Sequence, residues 1–98
     1  MAKAYMVVMY RSIKKPDALA AYAKLAGPAM QALGAKFIVR GTPAKVYEMG
    51  MNQRTVVVEF PSLQQALTAY ESPAYKAALD ALGKDAVERD MRVVEGVD

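Results

Sequence analysis

The period of the apolar residues changes in a fixed order along these 98 residues. Four stretches are short, extended and rich in β-branched or aromatic residues: "AYMVVMYRS" (4–12), "AKFIVRG" (35–41), "RTVVVEF" (54–60) and "ERDMRVVEG" (88–96). Between the first and second lies a helical stripe of Leu19, Tyr22, Ala26, Met30 and Leu33. Between the third and fourth lie "SLQQALTAYE" and "SPAYKAALDALG", whose Leu63, Leu67, Tyr70, Tyr75, Leu79 and Leu82 are expected to face a sheet. The order is β-α-β-β-α-β, with no linker, repeat or low-complexity stretch, so residues 1–98 form a single domain. That order assembles naturally as an α+β, ferredoxin-like fold, a four-stranded antiparallel sheet with the helices on one face.

Local chemistry sets the boundaries. Pro16 suits a first helical turn, Asp17 complements the positive end of the helix dipole, Pro28 is expected to kink the helix, and Gly34 to end it. Ser62 with Gln65 three residues on forms a capping-box pattern, while Ser72 and Pro73 restart the helix. "AKVYEM" (44–49) is expected to continue the second strand after a break at "GTP", with "GMNQ" (50–53) as the hairpin turn.

Alternation assigns the faces. Val56, Val58 and Phe60 belong under the helices, as do Phe37, Val39, Met91 and Val93. The open face then carries Thr55, Val57, Glu59, Ile38, Arg40, Arg92 and Val94. Such a face is more apolar than a solvated one, and the chain as a whole is 54% hydrophobic, above the usual range of about 45–50%. A homodimer that packs two open faces together resolves both facts, each buried aliphatic side chain contributing roughly 1.5–3 kcal/mol.

Several chemistries are excluded by composition. The chain has no cysteine and no histidine, so thiolate catalysis and imidazole bases or ligands are absent, and no metal site and no cofactor is expected. Thirteen basic and ten acidic residues leave a net charge of +3, scattered along the chain, which gives no basic tract for nucleic acid. An RNA-recognition reading of the same strand order fails at the third strand, where Thr55 and Val57 hold the positions of stacking aromatics. The apolar run from Ala4 to Tyr10 reads as a strand rather than a signal peptide, and nothing is long enough to span a membrane, so a cytoplasmic protein is the default expectation.

"YMVVMYRSIKKPDALAAYAKLAGPAMQALGAKFIVRG", "RTVVVEFPSLQQALTAYESPAYKAAL" and the final "RDMRVVEG" resemble the bacterial family of domain of unknown function thirteen-thirty, within the dimeric α/β-barrel superfamily. The resemblance covers nearly the whole chain and implies two sheets joined as a barrel. It implies no particular reaction. The wider superfamily includes cofactor-free monooxygenases, muconolactone-isomerase-type enzymes, haem-degrading or haem-binding enzymes and stress-response barrels, many with a pocket between sheet and helices or at the end of the sheet. A histidine that often precedes the glycine ending the first helix is replaced here by Leu33. Carried over by motif, the "VRG" arginine is Arg40, the "EFPS" acid is Glu59 and the "SPAY" tyrosine is Tyr75.

The candidate residues follow. Glu59 is either an ion-paired carboxylate at the dimer face or a general acid/base, with Arg40 as its anion-clamping partner in catalysis. Arg92, Tyr70 and Tyr75, with Tyr22, are candidates for substrate binding, and core packing is the competing role for the tyrosines. The function expected is that of a small-molecule enzyme, working by proton transfer or cofactor-free oxygenation of an organic acid or lactone. The alternative is a non-catalytic, small-ligand-binding or structural homodimer.

Overall fold

The computed structural model describes residues 2–97. The elements are β1 (Ala4–Ile13), α1 (Pro16–Gln31), β2 (Lys36–Gly41), β3 (Thr55–Phe60), α2 (Leu63–Glu71), α3 (Pro73–Leu82) and β4 (Val87–Glu95). The sheet is antiparallel in the order β2-β3-β1-β4, so β1 and β3 are central and β2 and β4 are edges. This is the ferredoxin-like α+β arrangement expected from the order of periods.

The core lies between one sheet face and the helices. Ala4, Met6, Val8 and Tyr10 of β1 and Val56, Val58 and Phe60 of β3 are buried there, with Met91 and Val93 of β4 packed against them. From the helices, Tyr22, Ala26 and Met30 of α1 meet Ala66, Ala69, Tyr75, Ala78 and Leu82. The second helical layer therefore buries three alanines with Tyr75 and Leu82, whereas Leu67 and Tyr70 are left two-fifths exposed. α2 packs on β1, and α3 packs mainly on α1.

Helix ends follow local rules. Pro16 opens α1, which continues through Pro28 to Gln31; the missing proline N–H leaves the Lys24 carbonyl without its helical donor. Gly34 takes φ +89° just beyond α1, where a Cβ would lie 3.0 Å from Pro61 Cγ. Ser62 Oγ accepts from the Gln65 amide at 3.2 Å, and the Gln65 side-chain amide donates to the Leu33 carbonyl at 3.0 Å, tying the start of α2 to the end of α1. Ser72 Oγ accepts from the Tyr75 amide at 3.2 Å, with Pro73 at the first position of α3.

Two expectations about β2 are corrected. Residues 44–49 are not extended partners of β3; the strands are joined by the loop 42–54, and Glu59 lies opposite Lys36. A bulge falls at Ile38, between the pairs Phe37–Val58 and Val39–Val57. One extra residue reverses the side-chain alternation beyond it. Val39, expected in the core, lies on the open face at 47% exposure, and Arg40, expected on the open face, shares the helix face with its partner Val56.

Candidate functional site

A cavity of about 60 Å³, measured as space open to the centre of a water-sized sphere, lies between α1 and the sheet. Its floor is read directly from the strand register. Tyr10 pairs with Arg89 of β4, and the Tyr10 amide donates to the Arg54 carbonyl at 3.0 Å, so Arg54, Tyr10 and Arg89 form one rung on the helix side. Arg40, Val56, Val8 and Met91 form the next rung, and Phe37, Val58, Met6 and Val93 the third. Ala23, Ala26, Gly27 and Met30 of α1 make the roof. A Cβ added at Gly27 would meet nothing within 4 Å, so the small residues of α1 leave the space unfilled.

Arg89 organises the polar end. Its Nη1 donates to the Tyr10 hydroxyl at 3.1 Å and to the Tyr22 hydroxyl at 3.2 Å, and its Nη2 to the Tyr75 hydroxyl at 3.5 Å. The guanidinium also lies over the Tyr22 ring, 4.9 Å from its centroid. Tyr22 and Tyr75 share a 2.5 Å hydroxyl–hydroxyl bond, their rings meeting edge to face at 5.9 Å. Burial, then the neighbouring Tyr22 oxygen, pushes the Tyr75 phenol far above its ordinary pKa, so it is held neutral. Burial works against the Arg89 charge, but the oxygens of Tyr22, Tyr75 and Tyr10 outweigh it and raise its pKa.

Phenols supply lone pairs to a guanidinium but no neutralising charge. Among the described residues, Arg89, Arg54 and Arg40 form no ion pair, and the buried Arg54 Nε has no hydrogen-bond partner. Among the described residues, no carboxylate lines the cavity. An anion about 4 Å from one such guanidinium would gain roughly 4 kcal/mol at an effective dielectric near 20. The arrangement therefore favours a ligand oxygen that carries or develops negative charge.

The other predicted residues are dispersed. Arg40 lines the cavity, its guanidinium carbon 5.1 Å from the Phe37 ring centroid. Glu59 is on the opposite face, accepting from the Tyr5 hydroxyl at 3.2 Å and paired with Lys3 Nζ at 3.5 Å. Arg40 and Glu59, expected as an anion clamp and its base, are thus separated by the sheet. Arg92 is also on the open face and makes a two-pronged contact with Asp90, at 3.1 and 3.0 Å, which holds that carboxyl below the usual carboxylate range. Tyr70 packs on Tyr75 with centroids 5.0 Å apart but lines a separate groove with Leu67, Glu71 and Met91. Tyr75 and Tyr22 join the Arg89 cluster. Arg89, Arg54 and Tyr10 were not singled out from the sequence. Arg89 carried a legible signal, since it shares the parity of Met91 and Val93 and so is a charged residue on the core side of β4.

The fold and this cavity define a small ferredoxin-like protein with a ligand-sized space between sheet and helix. The chain belongs to the family described as Domain of unknown function (DUF1330), whose model matches residues 3–97. No curated protein matches it. Among solved structures, a protein of unknown function from Rhodopseudomonas palustris superposes with a TM-score of 0.77 at 18% identity, over 99% of this chain and 84% of that one. A dimeric ferredoxin-like protein of unknown function from Thermobifida fusca gives 0.56 at 14% identity, over 97% and 92%. SnoaB, a cofactor-independent oxygenase from Streptomyces nogalater, gives 0.58 at 8% identity, over 99% and 93%. At these identities the likeness is one of fold. No helix among the described residues is long and apolar enough to cross a membrane.

Proposed function

We propose that this protein is a small-molecule enzyme that takes an oxygenated organic substrate into the cavity under α1 and stabilises negative charge on its oxygen. The observation that carries this reading is Arg89, a guanidinium bonded to three phenols with no carboxylate among the described residues to balance it. A group preorganised in this way is worth most where water is excluded. The chemistry it fits is that of an enolate or phenolate, as in proton transfer or cofactor-free oxygenation of an organic acid or lactone. SnoaB, of the same fold, performs oxygenation without a cofactor, which supports the second of these.

A specific observation favours a second reading, a ligand-binding protein without catalysis. Among the described residues no carboxylate lines the cavity, and the chain has no histidine, so these residues bring no ordinary general base to the substrate. Glu59 takes a different role, as a charge on the open face held by Lys3 and Tyr5. That face, with Met9, Val39 and Val94 exposed beside Val57, is the surface through which the chain forms its homodimer.

A thermal-shift screen of organic acids, lactones and phenols, at one fixed protein concentration, tests the reading. Ligand at 100 times its Kd adds about 2.7 kcal/mol of stability. Hits are expected to disappear in Gly27→Leu, which fills the cavity, and in Arg89→Met, and to persist in Glu59→Gln. Conversion of a hit, followed by oxygen uptake or by product, identifies an enzyme; binding without conversion identifies the second reading. A hit that survives Gly27→Leu puts the ligand outside this cavity and overturns both.

A further inference from the structure

The cavity is polarised along its length, and this bears on what enters it. At one end stands the rung of Arg54, Tyr10 and Arg89, on three adjacent strands. Neighbouring strands lie about 4.8 Å apart, so the two guanidiniums approach the space above Tyr10 from opposite sides. Arg54 lines the cavity and has a buried Nε without a partner, which leaves a donor to be satisfied. Two rungs away, by a rise of about 3.4 Å per residue, the floor is Phe37, Val58 and Met6, under Met30 of α1. That end is apolar apart from Arg40, whose guanidinium carbon lies 5.1 Å from the centroid of the Phe37 ring.

We infer that the cavity takes a small organic anion, its carboxylate or oxyanion between Arg54 and Arg89 and its apolar body over Val8, Val56 and Met6. The inference rests on the cavity being the functional site. Two forked donors on one side suit a planar carboxylate, which each guanidinium meets with paired N–H groups. Met6, Val58 and Phe37 give the far end an apolar floor suited to a hydrocarbon body, while Arg40 is held over the Phe37 ring. The volume limits the body to a short branched chain or a single ring, since a water-sized sphere needs about 10–15 Å³ of this kind of space and the cavity offers about 60 Å³. Gly27 is the size determinant in the roof, where each added carbon occupies space otherwise left to the ligand. Arg54 and Arg89 select charge, and Gly27 selects bulk.

Calorimetric titration with matched probes tests this. Benzoate and isovalerate are the anions, benzyl alcohol and isoamyl alcohol their neutral counterparts, and inorganic phosphate an anion without an apolar body. At least one organic anion is expected to bind ten times or more tightly than its neutral counterpart and than phosphate. Arg54→Gln is expected to weaken that anion at least tenfold and leave the alcohols unchanged; because Arg54 lies at the strand end, outside the tyrosine cluster, this variant keeps the test open if Arg89→Met fails to fold. Gly27→Leu is expected to abolish binding of anion and alcohol alike. Alcohols that bind within threefold of the anions, and are displaced by Gly27→Leu, would overturn the charge assignment while leaving the cavity as the site. Binding of the anions that survives Gly27→Leu, or no binding of any probe, would remove the cavity as the site and the inference with it.

Discussion

Tyr75 shows how one side chain links packing to electrostatics. It is fully buried, and its hydroxyl is bonded to Tyr22 and Arg89. Its pKa is raised by burial first and by Tyr22 next, so the folded protein keeps its proton where an unfolded chain would release it. For a raised pKa, the stability contribution is complete below the unfolded value, near 10 for tyrosine, and is lost as pH rises above it. Urea unfolding between pH 9 and 11.5 should therefore show stability falling above about pH 10, by up to roughly 1.4 kcal/mol per pH unit from this one group. Tyr75→Phe should flatten that part of the slope. At neutral pH the same variant should cost about 1–3 kcal/mol, because it strips a partner from the buried Tyr22 hydroxyl and from Arg89. An unchanged alkaline slope in Tyr75→Phe would show that its ionisation is not coupled to folding.

Among the elements, α1 carries both the core stripe and the roof of the cavity. Its position depends on its C-terminal end, where Gly34 turns at φ +89° against Pro61 and the Gln65 side chain holds the Leu33 carbonyl. Any L side chain is strained there, and a Cβ 3.0 Å from Pro61 Cγ forces the α1–β2 and β3–α2 connections apart. Gly34→Ala is expected to lower stability by about 1–2 kcal/mol from the backbone alone, measured by denaturant titration. A loss smaller than 0.5 kcal/mol would mean that the turn relaxes freely, at about the level of an ordinary surface change. In β2 the bulge at Ile38 has the larger functional consequence, since it turns Arg40 from the open face to the cavity. Strict alternation could not disclose this. A bulge is a property of two paired strands, and "KFIVRG" alone contains neither glycine nor proline at the position where it occurs.

For the whole molecule, the open sheet face is the surface proposed for assembly. Val57 lies at its centre on β3, opposite Val7 of β1, with Val39 to one side. In a face-to-face dimer each copy would cover these residues in the other, and a charge at this position would be buried without a partner. Light scattering at micromolar concentration should give twice the chain mass of 10.6 kDa, and Val57→Lys should give the monomer. The melting temperature of the wild-type protein should rise with its concentration, and that of Val57→Lys should not. A wild-type protein that scatters as a monomer would refute the dimer, with no bearing on the cavity, which lies on the other side of the sheet.

The order of elements, their caps and the face of every β3 residue are local properties, and the sequence by itself determined them. Val56, Val58 and Phe60 alternate without interruption, while Ser62, Ser72, Pro16, Pro73 and Gly34 act within a few residues of themselves. Glu59 on the open face followed from the same alternation. The site itself was only partly legible. Tyr22 and Tyr75 stood out as hydroxyl-bearing residues on helical stripes, but their joint partner Arg89 is 67 and 14 residues away. Only the tertiary structure decided that Arg54 and Arg89 flank Tyr10, that Arg40 joins them, and that Glu59 does not. Cross-strand register and the bulge bring these groups together or hold them apart, and both arise from pairing between distant segments, which no single stretch of the chain encodes.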